Sequence, residues 1–317
     1  MSRKTLWQAL RIIVSAGLIA LLLYRMSPGR LAVSIGGLDP AMLAAAVGVF
    51  FASSLLGAAQ WHILLRAGGV PLGFSTSFKL YFTGLFFNNL LPTNVGGDAV
   101  KIYDVTKAGH DSHRVFAITL LDRIFGITGL CVLAMAASVT LMTRGGSEDL
   151  PLYMAIFAAC LLPLFVLALN RRISRSVRRV FSGIRLWRLG ERFELVFGHL
   201  SSLRRVRMLF LRVILLSLVI QALRIATHVT VASALGLSPG DSELLHFFVF
   251  VPLLGLVMTL PVSINGLGIR EGAGVLLFTR IGMGEEQAFL MEFITYVVMV
   301  GVSMLGGLLF LRRQMRG

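Results

Sequence analysis

Long runs of apolar residues, separated by short polar stretches, occupy most of the 317-residue chain. Several runs reach about 18 residues or more, which is the length that a helix needs to cross a hydrocarbon core about 30 Å thick. Segments inside a bilayer must be helical, because lipid cannot hydrogen-bond a bare backbone. The pattern therefore predicts helices at about 6–24, 41–65, 74–91, 113–142, 151–169, 209–235, 244–262, 266–281 and 287–310.

The composition agrees with an all-α polytopic membrane protein. Hydrophobic residues make up 56% of the chain and charged residues 14%, whereas a typical soluble domain has about 25% charged residues. The net charge of +15 is concentrated between Arg171 and Arg207, where eleven arginines and two glutamates occur. Such a segment favours the cytoplasmic side and attracts anionic lipid headgroups. Because no aromatic-basic module accompanies the arginines, no nucleic acid partner is expected.

The loop charges constrain how the predicted helices thread the membrane. With a cytoplasmic N-terminus, full crossings by every segment would export the arginine-rich block, against the positive-inside rule. The conflict disappears if 74–91 enters from the cytoplasm and turns back near the midplane, and if 244–262 and 266–281 form a second hairpin from the opposite face. The prediction is about six full spans plus two re-entrant helical hairpins, in a multi-pass protein of the plasma (inner) membrane with both termini cytoplasmic.

The two predicted hairpins share a sequence motif. Residues 91–101 and 260–270 both read L-P-x-x-[VI]-x-G-x-x-x-[KR], about 169 residues apart. The match predicts an inverted repeat, which is a transporter architecture with the substrate between the two repeats. The expected organisation is a single transmembrane domain, 1–317, with repeat one at about 6–142, repeat two at about 151–310 and a basic cytoplasmic segment at 170–208.

Polar residues cluster where the first hairpin turns. Asn88, Asn89 and Asn94 are costly at membrane depth unless they are paired or solvated. The prolines and glycines around them break the helix and expose backbone N–H groups, which favour anions such as phosphate. Asp98 and Lys101 follow, and Lys101 would add a positive charge for the same anion. The alternative is a helix-breaking turn whose polar groups only cap the backbone.

The second turn holds Asn265, Arg270 and Glu271. Arg270 and Glu271 are adjacent, so they cannot share a helix face and are expected to point to different partners. The alternative is a surface loop with two solvated charges. Arg224, in the predicted helix 209–235, is a further candidate for a lipid phosphate, since a guanidinium can bind phosphate bidentately.

Two adjacent charges, Asp122 and Arg123, lie about nine residues into the predicted helix 113–142. A charge this deep costs at least ~2.5 kcal/mol on insertion scales, so both are expected to face the helix bundle. Asp122 is expected to hold Lys101 or Arg270. The alternative is a structural ion pair without a ligand.

Four other polar residues are interpreted as structural. His228 shares a helix face with Arg224, four residues away, and is expected to be a packing residue. Glu292 lies near the start of the last predicted helix and is interpreted as an interfacial carboxylate, with proton coupling as the alternative. Gln60 and His62, near one end of their helix, are also interpreted as interfacial.

The sequence contains no nucleophile elbow, zinc-binding H-E-x-x-H, phosphate-binding loop or dinucleotide fingerprint. The two cysteines, Cys131 and Cys160, lie in apolar runs without metal or redox spacing. No catalytic residue, metal or cofactor is therefore expected, and ATP-driven transport by this chain alone is not expected.

Three ordered motifs resemble those of a known family. They read FFNNLLPTNVGGD at 86–98, LDRIFG at 121–126 and LPVSINGLGIRE at 260–271. Together they are similar to the flippase-like domain of the lysylphosphatidylglycerol synthase transmembrane-region family, also called UPF0104, over roughly 10–310. The resemblance implies the site residues Asn88, Asn89, Asn94, Asp98, Asp122, Arg123, Asn265, Arg270 and Glu271.

The resemblance implies a membrane lipid translocase. In the family's multidomain synthases this domain moves a lipid that a soluble transferase domain aminoacylates, and a stand-alone form without that domain is expected here. The expected partner is a membrane phospholipid or a lipid-linked sugar. One alternative is a membrane anchor of a separate synthase or glycosyltransferase, acting through the basic segment. The other is a lipid-modifying enzyme that uses Asp122, His228 or Glu292 as acid or base.

Overall fold

The computed structural model describes residues 35–90, 96–145, 148–169, 203–258 and 266–315, and all regular secondary structure within them is helical. The α-helices are α1 (Pro40–Ala67), α2 (Phe74–Leu90), α3 (Gly96–Lys107), α4 (Ser112–Thr143), α5 (Leu150–Leu169), α6 (Leu203–Ala234), α7 (Asp241–Val257), α8 (Ile269–Phe278) and α9 (Glu285–Gln314). A short 3-10 helix, Thr279–Ile281, follows α8. The prediction of an all-α fold is confirmed for these residues.

Four helices are long and apolar enough to cross a membrane: α1, α4, α9 and the part of α6 from Arg207 to Ala234. Their most apolar windows have mean hydropathies between 2.0 and 2.2. The stretch Leu150–Leu162 of α5 is apolar as well. A multi-pass membrane protein is therefore confirmed as the class. The predicted first helix, at 6–24, lies outside the described residues.

The predicted apolar segments agree with the helices to within a few residues, with one omission. Helix α3 was not among the predicted segments. It contains two aspartates and two lysines among its twelve residues, so its hydropathy is too low for an apolar run. Its buried residues include Gly97, Lys101 and Val105. These positions are four residues apart, so they share one face, which packs against the rest of the protein.

Two of the long helices begin at aspartate caps. The side chain of Asp39 accepts a hydrogen bond of 2.8 Å from the backbone N–H of Ala41, and Pro40 occupies the first helical turn of α1. Asp111 accepts one of 2.8 Å from the N–H of His113 at the start of α4. A cap of this kind satisfies a helix-end donor that otherwise lacks a partner. The polar positions just before the apolar runs therefore fix where these helices start.

Helices α1–α4 and α6–α9 form two sets in which two long helices flank two shorter ones. The first set has 28, 17, 12 and 32 residues, and the second has 32, 17, 10 and 30. In each set the second helix packs against the third. Between the sets, α1 packs along α6, α2 packs against α9, and α7 packs against α4. The two sets are therefore interlocked.

Both sets contribute to two hydrophobic cores. Large, fully buried side chains in the first core are Trp61, Phe82, Leu64 and Ile118, and those in the second are Phe157, Phe247, Phe278 and Ile225. Lipid is as apolar as these side chains, so close packing rather than escape from water holds the helices together. Close packing in turn requires small residues where backbones approach.

One close approach of this kind joins α2 to α9 at Gly306. A Cβ atom added there would collide with the backbone carbonyl of Phe82, whereas one added at Gly301, in the same helix, would meet nothing within 4 Å. Gly306 is buried and Gly301 is exposed. The absence of a side chain at Gly306 therefore sets the distance between these two helices.

Replacing Gly306 with alanine should force α2 away from α9 and lower the free energy of unfolding by about 1–3 kcal/mol, the usual effect of overpacking. Gly301→Ala is the matched control and should leave stability unchanged or slightly raised, because alanine favours the helix. Thermal unfolding of both variants in detergent, followed by intrinsic fluorescence, measures the difference. Equal melting temperatures for the two variants would contradict the packing described here.

Candidate functional site

Asp98, in the first turn of α3, forms the ionic centre of the first helix set. Its carboxylate lies 2.8 Å from the ammonium of Lys101 and 2.7 Å from Nε of Arg123 in α4. Asp98 and Lys101 are each only 5% exposed, whereas the side chain of Arg123 is 45% exposed. The first turn of a helix favours a negative charge, and a spacing of three residues brings Asp98 and Lys101 together.

Aromatic rings enclose the Lys101 ammonium. The nitrogen lies 5.2 Å from the ring centroid of Trp61 in α1 and 5.2 Å from that of Tyr81 in α2. Ring faces attract a cation, most strongly where water is excluded. Asp98 and the two rings therefore hold this cation between three helices.

Asp122 has a different partner from the one expected. Its Oδ1 accepts a hydrogen bond of 2.9 Å from Nε2 of Gln60, and Oε1 of Gln60 accepts one of 2.8 Å from the hydroxyl of Ser217. The expectation that Asp122 holds Lys101 or Arg270 is wrong in this structure, because Asp98 pairs with Lys101. The chain of hydrogen bonds instead connects α4, α1 and α6.

Gln60 is a member of the site that sequence reasoning missed. It was interpreted as interfacial, but it is 3% exposed and makes both hydrogen bonds described above. The neighbouring sequence offered a signal, since Ser53, Ser54 and Gly57 are also buried on α1. Small and polar residues on one face of an apolar helix are typical of a helix contact rather than an interface. His62 is half-buried and lies 3.0 Å from the hydroxyl of Ser77.

The two asparagines at the end of α2 connect that helix to α3 and α9. Oδ1 of Asn88 accepts a hydrogen bond of 2.8 Å from the N–H of Gly97, in the first turn of α3. Nδ2 of Asn89 donates one of 2.8 Å to the hydroxyl of Ser303 in α9. Asn88 thus caps backbone, as the alternative interpretation anticipated. Asn94 and Asn265 lie outside the described residues.

Arg270, in the first turn of α8, is the counterpart of Lys101 in the shared motif, but its surroundings differ. It is 5% exposed. Its guanidinium donates to the sulfur of Met258 at 3.0 Å, lies 3.6 Å from the sulfur of Met299, and stacks 5.0 Å from the ring centroid of Tyr296. Among the described residues no carboxylate lies within 4.0 Å of it. Within the described residues, the groups in direct contact with the guanidinium are therefore soft and uncharged.

Glu271 and Arg270 have different partners, as expected from their adjacent positions. Oε2 of Glu271 accepts a hydrogen bond of 2.6 Å from the N–H of Gly268, which caps α8. Its Oε1 has no hydrogen-bond partner among the described residues, and the side chain is fully buried. Adjacent residues project from different sides of a helix, so the cap directs this carboxylate away from Arg270.

One face of helix α6 is polar, and it lies beside residues of both helix sets. Ser217, Gln221, Arg224 and His228 are spaced four, three and four residues apart, so they share one face. Gln221 donates 2.9 Å to the carbonyl of Gly126. Arg224 is half-buried, and its Nε has no hydrogen-bond partner among the described residues. Arg224, the residue predicted to bind phosphate, therefore also has no carboxylate partner among the described residues.

Glu292 is not interfacial as interpreted. It is fully buried, and its Oε2 lies 3.6 Å from Nε2 of His228, which is 7% exposed. The reason is that α8 lies over this part of α9, with Gly274 facing the Glu292 side chain. In the described residues no group of three or more histidines, cysteines, aspartates and glutamates is placed to hold a metal ion.

The candidate residues therefore fall into two groups, with the polar face of α6 beside both. Asp98, Lys101, Asp122 and Arg123 belong to the first, and Arg270 and Glu271 to the second, beside His228 and Glu292. The profile of the lysylphosphatidylglycerol synthase transmembrane region matches residues 8–307. The chain belongs to this family. The resemblance of the three sequence motifs is thereby confirmed.

Relatives of the chain are similar to it over most of its length. A UPF0104 membrane protein of Pyrococcus horikoshii is 24% identical over 335 residues, covering 96% of this chain and 97% of the relative. The glycosyltransferase AglD of Haloferax volcanii is 26% identical over 341 residues, covering 94% of this chain but 54% of AglD. A UPF0104 membrane protein of Methanothermobacter thermautotrophicus is 25% identical, covering 72% of this chain and 70% of the relative. No solved structure matches the chain at the same level of significance.

Replacing Asp98 with asparagine should leave the buried Lys101 charge without its carboxylate partner and lower the free energy of unfolding. Breaking a buried pair typically costs about 3–5 kcal/mol, and the lower end is expected here because Arg123 is half-exposed. Asp149→Asn is the control, since Asp149 pairs with Arg280 at a site where the two side chains are 47% and 54% exposed. Loss of that pair should cost about 0–1 kcal/mol. Chemical unfolding in micelles compares the two, and an equal loss of stability would contradict the assigned role of Asp98.

Proposed function

We propose that the chain is a membrane lipid translocase that moves a phospholipid or a lipid-linked headgroup between leaflets. The observation that carries this proposal is Arg270, a buried cation with no carboxylate partner among the described residues. A guanidinium in such surroundings is costly unless an anion compensates it. Thioethers and a ring face compensate it weakly, whereas a phosphate binds it through two parallel hydrogen bonds.

The architecture supports transport. We take α1–α4 and α6–α9 as two inverted repeats, in which α2–α3 and α7–α8 are the re-entrant hairpins, and count about six full spans. Three observations support this assignment: the shared arrangement of two long helices around two shorter ones, the shared motif, and the reciprocal packing of α2 on α9 and of α7 on α4. In transporters with such repeats, rocking of one repeat against the other alternates access to a site between them.

Three cations have defined roles in the proposal. Arg270 binds the phosphate first, because no protein carboxylate competes for it in the described residues. Arg224 lies on the polar face of α6 and offers a second cation. Lys101 is held by Asp98 in this structure, and an entering phosphate would replace that carboxylate. The remaining proposed substrate contacts are Asn88, Asn89, Asn94, Asp122, Arg123, Asn265 and Glu271.

The proposed orientation follows from the charge distribution. We assign both termini to the cytoplasm and the protein to the plasma (inner) membrane, with the basic segment 170–208 on anionic headgroups. Its eleven arginines between Arg171 and Arg207 would be costly to export. This orientation makes α2–α3 the hairpin that enters from the cytoplasmic side.

A second candidate function is that of a membrane partner for a sugar-transferring enzyme. The chain matches about half of AglD, which is named a glycosyltransferase. In this role the basic segment would recruit the enzyme, and exchange of its arginines for glutamine would abolish recruitment while lipid movement by the helices persisted. A lipid-modifying activity would instead leave a chemically altered lipid, which mass spectrometry of extracts detects.

Replacing Arg270 with alanine should slow lipid translocation by about tenfold or more, since a charge-assisted hydrogen bond contributes about 1.5–3 kcal/mol. The assay uses vesicles of phosphatidylcholine and phosphatidylglycerol with a trace of tail-labelled fluorescent phosphatidylglycerol. Dithionite bleaches the outer leaflet, so continued loss of fluorescence reports lipid that has crossed. Arg270→Lys should retain part of the rate, because a lysine provides the charge without the bidentate geometry.

The matched control is Arg280→Ala, which removes the same charge from an exposed position just after α8. It should translocate lipid like the wild type. Wild-type protein that moves lipid no faster than empty vesicles, or an Arg270→Ala variant as fast as Arg280→Ala, would refute the proposed function for this lipid probe.

A further inference from the structure

A buried histidine and a buried glutamate face each other where α6 meets α9. Nε2 of His228 lies 3.6 Å from Oε2 of Glu292. The two residues are 7% and 0% exposed. Neither carboxylate oxygen of Glu292 has a hydrogen-bond partner among the described residues. A polar group buried in this way needs an explanation, because natural proteins rarely leave one unsatisfied.

The other ring nitrogen of His228 fixes which atoms face Glu292. Nδ1 lies 3.1 Å from the backbone carbonyl oxygen of Arg224, and a carbonyl oxygen only accepts hydrogen bonds. Nδ1 therefore carries a hydrogen, and in a neutral ring Nε2 presents a lone pair. A carboxylate oxygen also presents only lone pairs. The two groups are complementary when one proton lies between them, on the acid or on the ring, and they repel when it is absent.

Few other charges reach this pair. Helix α8 contributes Glu271, whose Oε1 is also without a partner, and Arg270, which is directed at two methionine sulfurs. Helix α9 itself contributes Tyr296, one turn from Glu292. In the described part of α1 and α2, which also pack against α9, no charged side chain lies within 4.0 Å of Glu292. On α6 itself, Arg224 lies one turn from His228. Among the described residues only His228 comes within 4.0 Å of Glu292 as a possible cation, so an ionised Glu292 has a contacting positive charge only when His228 is protonated.

The contact between α8 and α9 includes both Glu292 and Arg270. Arg270 and Gly274 lie one turn apart on α8, and Gly274 faces the side chain of Glu292, where an added Cβ would come within 2.5 Å of Cγ. Along α9, Glu292, Tyr296 and Met299 follow at helical spacing, and the last two contact Arg270. A change in charge at Glu292 therefore acts on the contact that positions Arg270.

We propose that His228 and Glu292 form a proton-binding site whose loading and release are coupled to movement of the lipid anion at Arg270. This inference rests on the proposed function. A lipid such as phosphatidylglycerol, whose headgroup has one phosphodiester and no cation, carries one negative charge, and moving a net charge against a membrane potential requires energy in proportion to that charge. One proton that binds on one side and leaves on the other makes the step electroneutral, so a proton gradient drives it.

The coupling is tested in the vesicles and with the lipid probe described above, with and without a pH difference across the membrane. A difference of one pH unit changes the proton ratio about tenfold, so wild-type translocation in the driven direction should rise at least about threefold. Glu292→Gln, which keeps the shape of the protonated acid, should lose this response, as should His228→Gln. Glu285→Gln, an exposed acid in the first turn of α9, is the control and should respond like the wild type.

Outcomes of this experiment separate the two proposals. Wild-type translocation that ignores the gradient, or a Glu292→Gln response equal to that of the wild type, overturns the proton site and leaves translocation standing. An absence of wild-type translocation refutes the proposed function instead.

A second measurement tests protonation of Glu292 directly, without a transport assay. Dicyclohexylcarbodiimide modifies protonated carboxyl groups in apolar surroundings, and mass spectrometry locates the product. In detergent, Glu292 should be labelled in acidic buffer, and labelling should fall as the buffer becomes alkaline. His228→Gln should change the pH at which it falls, whereas Glu285→Gln should not. An unlabelled Glu292 at every pH, or labelling that does not vary with pH, overturns the proton site whatever the vesicles show.

Discussion

A charged side chain within apolar surroundings persists only where another group compensates it, and this requirement shapes how the helices contact one another. Asp98 compensates Lys101 and Arg123, and the rings of Trp61 and Tyr81 enclose the ammonium. These contacts join α1, α2, α3 and α4. Because apolar packing does not distinguish protein from lipid, polar contacts of this kind provide much of the specificity that fixes one helix arrangement.

The two helix sets compensate their buried cations differently. The shared motif places Lys101 and Arg270 at matching positions, but Asp98, three residues before Lys101, corresponds to Leu267 in the second set. The first cation is therefore compensated by its own helix, whereas the second has two thioethers and a tyrosine ring. A site that is saturated by its own carboxylate is stable when empty. A site that lacks one gains most from binding an anion, which is why Arg270 rather than Lys101 carries the proposed function.

Much of the fold could be predicted from the sequence, because apolar runs of sufficient length have few alternatives to a membrane helix. Helix α3 could not be predicted in this way, because four charged residues in twelve lower its hydropathy. Its polar face is buried only once the helix packs against the others. The buried charges could be predicted, but not their partners. Gln60 and Asp122 are 62 residues apart in sequence, and Glu292 looks interfacial until α8 covers it. Pairings of this kind depend on how helices dock, which hydropathy does not encode.

The contact between α8 and α9 joins the two features that the sequence left unresolved. Arg270 and the residue facing Glu292 lie one turn apart on α8, so a rigid helix cannot reposition one without the other. In the proposal, filling the anion site adds a negative charge beside Tyr296 and Met299, and loading the proton site adds a positive charge one to two turns away on the same face of α9. Two charge changes of opposite sign on one helix contact favour each other. Binding energy at one site is therefore available to shift occupancy at the other, as reciprocal linkage requires.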